Sequence, residues 1–189
     1  MRYLNCLAKK IFSSRKNGFT LVELLIVISI IAILSVVGVT VFSGIQKKAR
    51  IVKRISDIKA VQTSLEVYYY THNSQYPISS GWNSECTTWG GDSSDQVIPG
   101  LVPDYMTSFP HDPLYKANDR YCYLYQSNGT DYMFIIMRID ELNSAELLQH
   151  PELILPHYDG GAENTTGWCS IDGTGPFAWG VYTPGAKCW

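Results

Sequence analysis

Proline is absent from residues 19–76, and all nine prolines come later. A stretch that long without proline permits one uninterrupted helix. Charge is also missing where it would usually be found, because the 22 residues from Leu24 to Ile45 contain no Asp, Glu, Lys or Arg. Residues 1–18 have no acid, and residues 60–189 have only four bases (Lys116, Arg120, Arg138, Lys187) against fifteen acids. There is no Gly-rich phosphate loop, nucleophile elbow or His-Glu-x-x-His pattern, which removes the common nucleotide, hydrolase and zinc-protease signatures. There is no Cys-x-x-Cys, and no His stands beside the cysteines at ligand spacing. His72, His111, His150 and His157 are scattered and read as surface or turn residues. The sequence therefore reads as a protein that is not an enzyme.

What is present is 189 residues, 46% of them apolar, with a net charge of −2. That length leaves room for one sizeable core. A pI near 6.1 argues against a nucleic-acid-binding surface, and the apolar content argues against disorder. The small net charge hides a strong polarity along the chain, +5 over residues 1–18, +4 over 19–59 and −11 over 60–189.

A helix across the uncharged run would be ~33 Å long, enough for a hydrocarbon core of ~30 Å. The bases before it place residues 1–18 on the cytoplasmic side. A secretory signal would have a shorter apolar segment, although Val41-Phe42-Ser43 could pass for a cleavage site. No Cys follows the run, which excludes a lipoprotein signal. Glu23, at the start of the run, is the anomaly, since burying an unpartnered carboxylate in lipid costs ~2.5–3.5 kcal/mol.

The surrounding string is Arg15-Lys16-Asn17-Gly18-Phe19-Thr20-Leu21-Val22-Glu23, followed by the apolar run. It resembles the type III signal of type IV pilins and type II secretion pseudopilins. The resemblance implies that a prepilin peptidase cuts between Gly18 and Phe19 on the cytoplasmic face and N-methylates Phe19. It also implies that Glu23 meets the amino terminus of a neighbouring subunit, so that two charges neutralise each other inside an apolar fibre core.

Beyond Ile45 the pattern becomes one-sided, with Ile51, Ile55, Ile58, Val61, Leu65 and Tyr68 recurring at spacings of three and four. The spacing predicts that this half of the helix packs on its own head rather than forming a coiled coil. Gly38 and Gly44 are its weak points. They read either as close helix packing in lipid or, by the family resemblance, as a segment that melts in the fibre. The belt at residues 47–59 carries +5 and is expected to face acidic heads of adjacent subunits.

Tyr68 to Pro77 ends the helix in a form similar to that of secretion-type pseudopilins, and residues 78–110 read as loop. Phe109-Pro110-His111-Asp112-Pro113 is similar to the same group, with Leu114 where many members carry Trp. Tyr121 to Gln126 and Asp131 to Ile139 flank an Asn-Gly pair and predict a hairpin. A short helix is expected in 140–150 and a last strand in 177–182. Cys6 lies in the leader. Cys86, Cys122, Cys169 and Cys188 lie in the head, are even in number and suit an oxidising compartment, with three pairings open. The resemblance implies Cys86–Cys122 and Cys169–Cys188. Asp92 with Asp95, or Asp159 with Glu163, could bind calcium, but no calcium-loop spacing is recognisable, so no cofactor is expected. Asn128 and Asn164 fit the N-glycosylation pattern, but in a hairpin turn and a Gly/Thr loop both read as turn residues. Trp82, Trp89, Trp168, Trp179 and Trp189 read either as a sugar or adhesion surface or as packing beneath loops.

The sequence thus predicts an α+β chain, with a long N-terminal transmembrane helix packed on a small antiparallel sheet. Its expected parts are a cytoplasmic leader (1–18), a membrane and fibre-core helix (19–45), an amphipathic continuation (46–72) and a disulfide-stabilised head (73–189). The resemblance implies a structural subunit of a type IV pilus-like fibre. Its partners would be identical or related subunits, prepilin peptidase, an inner-membrane assembly platform and membrane lipid before assembly. The precursor would sit in the inner membrane with its head outside the cytoplasm, and the fibre at the cell surface or in the periplasm. Two alternatives stand beside this, a short periplasmic pseudopilus and a single-pass anchored adhesion module.

Overall fold

The computed structural model describes residues 18–87, 96–116, 121–137, 139, 142–156 and 178–189, with backbone alone for 37–41 and 144. The chain divides into two units, Met1–Ile45 and Gln46–Trp189. One helix, α1 (Leu21–Thr71, 51 residues), supplies both, and it is continuous through Gly38 and Gly44.

In the first unit Gly18–Thr20 precede the helix. Every described side chain from Leu21 to Val36 is exposed, including Leu24, Ile28 and Ile31 at more than half of full exposure. The Ser29 hydroxyl donates to Ile26 O (2.8 Å) and Ser35 to Ile31 O (2.7 Å). These two polar groups are therefore satisfied within the helix, as an apolar environment requires. Among the described residues no helix is long and apolar enough to cross a membrane. The uncharged run contains residues 37–41, whose side chains lie outside the described set.

In the second unit α1 buries the stripe that its spacing predicted. Ile58, Val61 and Leu65 are fully covered, with Ile51, Ile55 and Tyr68 at the margin. They pack against a four-stranded antiparallel sheet in the order β1 (Asn83–Ser84), β2 (Tyr123–Ser127), β3 (Tyr132–Met137), β4 (Ala178–Tyr182). Alternation assigns the two faces. Tyr123, Tyr125, Tyr132, Phe134, Ile136 and Trp179 share a core with α1. Leu124, Met133, Ile135 and Ala178 form a second cluster with Cys86 and Cys122. Both faces of β3 are covered, which explains its unbroken apolar run. Gly180 is where β4 presses closest, since a Cβ there would lie 2.3 Å from Phe134 O.

The helix ends where the Tyr-rich segment predicted. Asn73 (φ 54°) and Ser74 (φ 58°) are left-handed, and Ser74 N donates to Tyr69 O at 3.1 Å. That bond closes the last turn in the manner of a Schellman cap. The hairpin forms with Ser127 opposite Tyr132, leaving a four-residue loop. Asn128 Oδ1 accepts from the N–H groups of Thr130 (2.9 Å) and Asp131 (2.8 Å), so an Asx turn replaces a two-residue turn. A short helix, α2 (Ser144–Leu147), lies within the expected range. The two-residue β1 inside the expected loop 78–110 is an addition.

Candidate functional site

Gly18, Phe19 and Thr20 form an exposed, non-helical peptide immediately before α1, with Phe19 at 79% exposure. A Cβ at Gly18 would meet nothing within 4 Å among the described residues. Thr20 N and Thr20 Oγ1 both donate to Glu23 Oε2, at 2.9 and 2.8 Å, and Glu23 N donates to Thr20 Oγ1 at 3.2 Å. Leu24 N donates to Thr20 O at 3.2 Å, the first bond of the helix. Thr20-Leu21-Val22-Glu23 is therefore a capping box, in which N-cap and third residue satisfy each other's N–H. The family resemblance assigns Glu23 a role between subunits. The structure adds that it starts its own helix.

Residues 13–39 match the family model for the prokaryotic N-terminal methylation motif. The chain carries the prokaryotic N-terminal methylation motif. The type II secretion system core protein G of Dickeya chrysanthemi is 40% identical over 63 residues, covering 33% of this chain and 40% of that protein. Its counterpart in Aeromonas hydrophila is also 40% identical over 63 residues, covering 33% and 43%. The prepilin peptidase-dependent protein D of Escherichia coli K12 is 32% identical over 90 residues, covering 47% and 62%. The chain thus spans less than half the length of the two secretion proteins and about three fifths of the third. No solved structure matches it.

The methylation motif thus spans Gly18, Phe19, Glu23 and the exposed apolar turns of α1, while its bases Arg15 and Lys16 lie outside the described residues. Beyond the motif, part of the basic belt is engaged within its own unit. Arg54 is fully buried and grips Asp112 with two bonds, Nε to Oδ2 at 2.6 Å and Nη2 to Oδ1 at 3.1 Å. Lys53 pairs with Asp57, which also accepts from the Tyr123 hydroxyl (3.1 Å). Burial, then the Asp57 charge, pushes that hydroxyl up. Lys47 pairs with Glu146 at 2.6 Å. The Lys47 bond, then the Asn143 N–H, holds the Glu146 carboxyl below the usual carboxylate range. Three of the belt's cations are thus engaged within their own unit. Asp112 sits in the Pro-rich segment that resembled pseudopilins, and its Oδ1 also accepts from Leu114 N at 2.8 Å.

The other predicted residues fall as follows. Cys86 and Cys122 are joined in a buried disulfide. Cys188 is disulfide-bonded, and Cys169 lies outside the described residues. Asp92, Asp95, Asp159, Glu163, Asn164, Trp89, Trp168 and His157 also lie outside them. Trp179 is fully buried with Nε1 donating to Leu147 O (3.3 Å), and Trp82 and Trp189 pack on the second cluster. Trp179 is thus a core residue, while Trp82 and Trp189 are half-buried. His72 stacks on Tyr68, His111 bonds Glu85 and His150 lies edge-on to Trp179.

Proposed function

We propose that this chain is a structural pilin-like subunit, made as an inner-membrane precursor, cut between Gly18 and Phe19, methylated on Phe19 and assembled into a fibre through α1. The observation that carries this reading is the methylation motif set on an exposed peptide before a capped helix whose described apolar side chains are uncovered. Such a surface needs another apolar environment, either lipid before assembly or neighbouring helices after it. Residues 24–45 supply an uncharged run of sufficient length for the first. Glu23 divides its work in the second. Its Oε2 caps the helix, and Oε1 is left to accept the amino terminus of an adjacent subunit, the pairing that makes a carboxylate tolerable in an apolar core. The head, residues 73–189, stays outside the cytoplasm, where disulfides persist.

A short periplasmic pseudopilus is the second reading, favoured by the 40% identity to two core G proteins. An uncleaved anchored adhesion module is the competing class. Intact-mass and fragment spectrometry of the mature chain tests the proposal. A sequence beginning at methylated Phe19 is expected, and a chain still beginning at Met1 overturns it. Electron microscopy of sheared surface fibres separates pilus from pseudopilus.

A further inference from the structure

Glu85 follows β1 directly and is buried, at 2% exposure, yet among the described residues its Oε1 has no hydrogen-bond partner. Buried polar atoms are nearly always partnered, so an orphan needs a reason. The second oxygen bonds His111 Nδ1, and the Tyr123 backbone N–H donates to the same carboxylate. The His111 side chain is 51% exposed, and its ring stacks on Tyr115 with centroids 5.1 Å apart. The other charged groups nearby are accounted for. Asp112, next in the chain, is held by Arg54 of α1, and Asp57 of α1 is held by Lys53 and the Tyr123 hydroxyl. Among the described residues His111 is the one ionisable base bonded to Glu85.

We propose that Glu85 and His111 form a one-proton latch that holds the segment 109–115 against β1 in mild acid and loosens it as pH rises. With one proton the pair is either an ionic or a neutral hydrogen-bonded bridge, and both forms are compatible with burial. Loss of that proton leaves a buried carboxylate anion facing a neutral ring, with one oxygen bare. Burial pushes the Glu85 carboxyl up and the Asp112 charge pushes the same way, while the His111 bonds oppose them. A group raised in the fold stabilises it below its unfolded value and loses that contribution as pH climbs through the folded one, so the latch is an acid-side device. Its reach is wider than two residues. The segment it holds carries Asp112, the buried partner of Arg54, and Tyr115, which packs on the cluster containing the Cys86–Cys122 bridge. This inference does not depend on the fibre reading.

The test is hydrogen–deuterium exchange of the full chain in detergent micelles between about pH 4 and pH 8, corrected for intrinsic exchange, a window that starts at the ordinary glutamate value and runs upward, the direction in which burial moves Glu85. The opening constant of a peptide covering 109–116 is expected to rise by up to about tenfold per pH unit across one window. The α1 peptide 58–70 stays flat, and Glu85→Gln abolishes the slope. A flat wild type, or a slope that survives in Glu85→Gln, overturns the latch. Should Glu85→Gln fail to fold, His111→Asn must abolish the slope in the same experiment. A carbon-13 titration in which the wild-type Glu85 carboxyl titrates like an exposed glutamate overturns the latch without any variant.

Discussion

Arg54→Met isolates the energy of the one fully buried charge pair among the described residues. Both side chains are 0% exposed, so no solvent screening reduces the effect. The substitution keeps an aliphatic stem in place but leaves Asp112 a buried carboxylate that still accepts from the Leu114 N–H. Breaking a buried pair from one side costs ~3–5 kcal/mol. For a domain of this size ~2–4 °C is lost per kcal/mol, so a fall in Tm of about 6–20 °C is expected. Replacing both partners, Arg54→Met with Asp112→Leu, removes the stranded charge and should recover most of the loss, because an apolar pair of similar volume is often neutral. Thermal unfolding followed by tryptophan fluorescence and near-ultraviolet dichroism reads all four corners of the cycle, with Trp179 at the core as reporter. A single variant that loses less than about 1 kcal/mol would mean that the pair is solvated. A double variant no better than the sum of the singles would mean that the two residues act separately.

Three further outcomes follow from the same coordinates. A Cβ at Gly18 meets no described atom within 4 Å, so Gly18→Leu should leave the head's fold unchanged while processing fails; an immunoblot shows precursor accumulation, and normal processing argues against cleavage at this bond. Gly180→Ala drives a methyl group to 2.3 Å from Phe134 O and should destabilise the head by at least ~1–3 kcal/mol through displacement of β4; urea unfolding with an unchanged midpoint would contradict the register. Cys86→Ser with Cys122→Ser opens a bridge between residues 36 apart, worth ~4 kcal/mol by chain entropy, read as a lower urea midpoint than the wild type.

Much of the fold was legible in the sequence because its signals are local and periodic. The stripe Ile58, Val61, Leu65, the Tyr-rich helix exit and the hairpin around Asn128-Gly129 each fit inside a short window. What was not legible depends on distant pairs. Arg54 looked like one more surface base in a basic belt, and its partner lies 58 positions away. The Pro-His-Asp-Pro string around Asp112 was noticed as a likeness, yet nothing local said that its carboxylate would be fully buried. Glu85 gave no signal at all, because β1 has only two residues and no apolar alternation of its own. At the N-terminus the Thr20-Leu21-Val22-Glu23 string was read for its likeness, and the S/T-x-x-E capping pattern in the same four residues was overlooked.

That cap lies wholly on one side of the Gly18–Phe19 bond. Its donors and acceptors all come from Thr20, Glu23 and Leu24, each downstream of Gly18. A cut between Gly18 and Phe19, the proposed processing step, would therefore remove none of these bonds, and the first turn would keep its cap in precursor and mature chain alike.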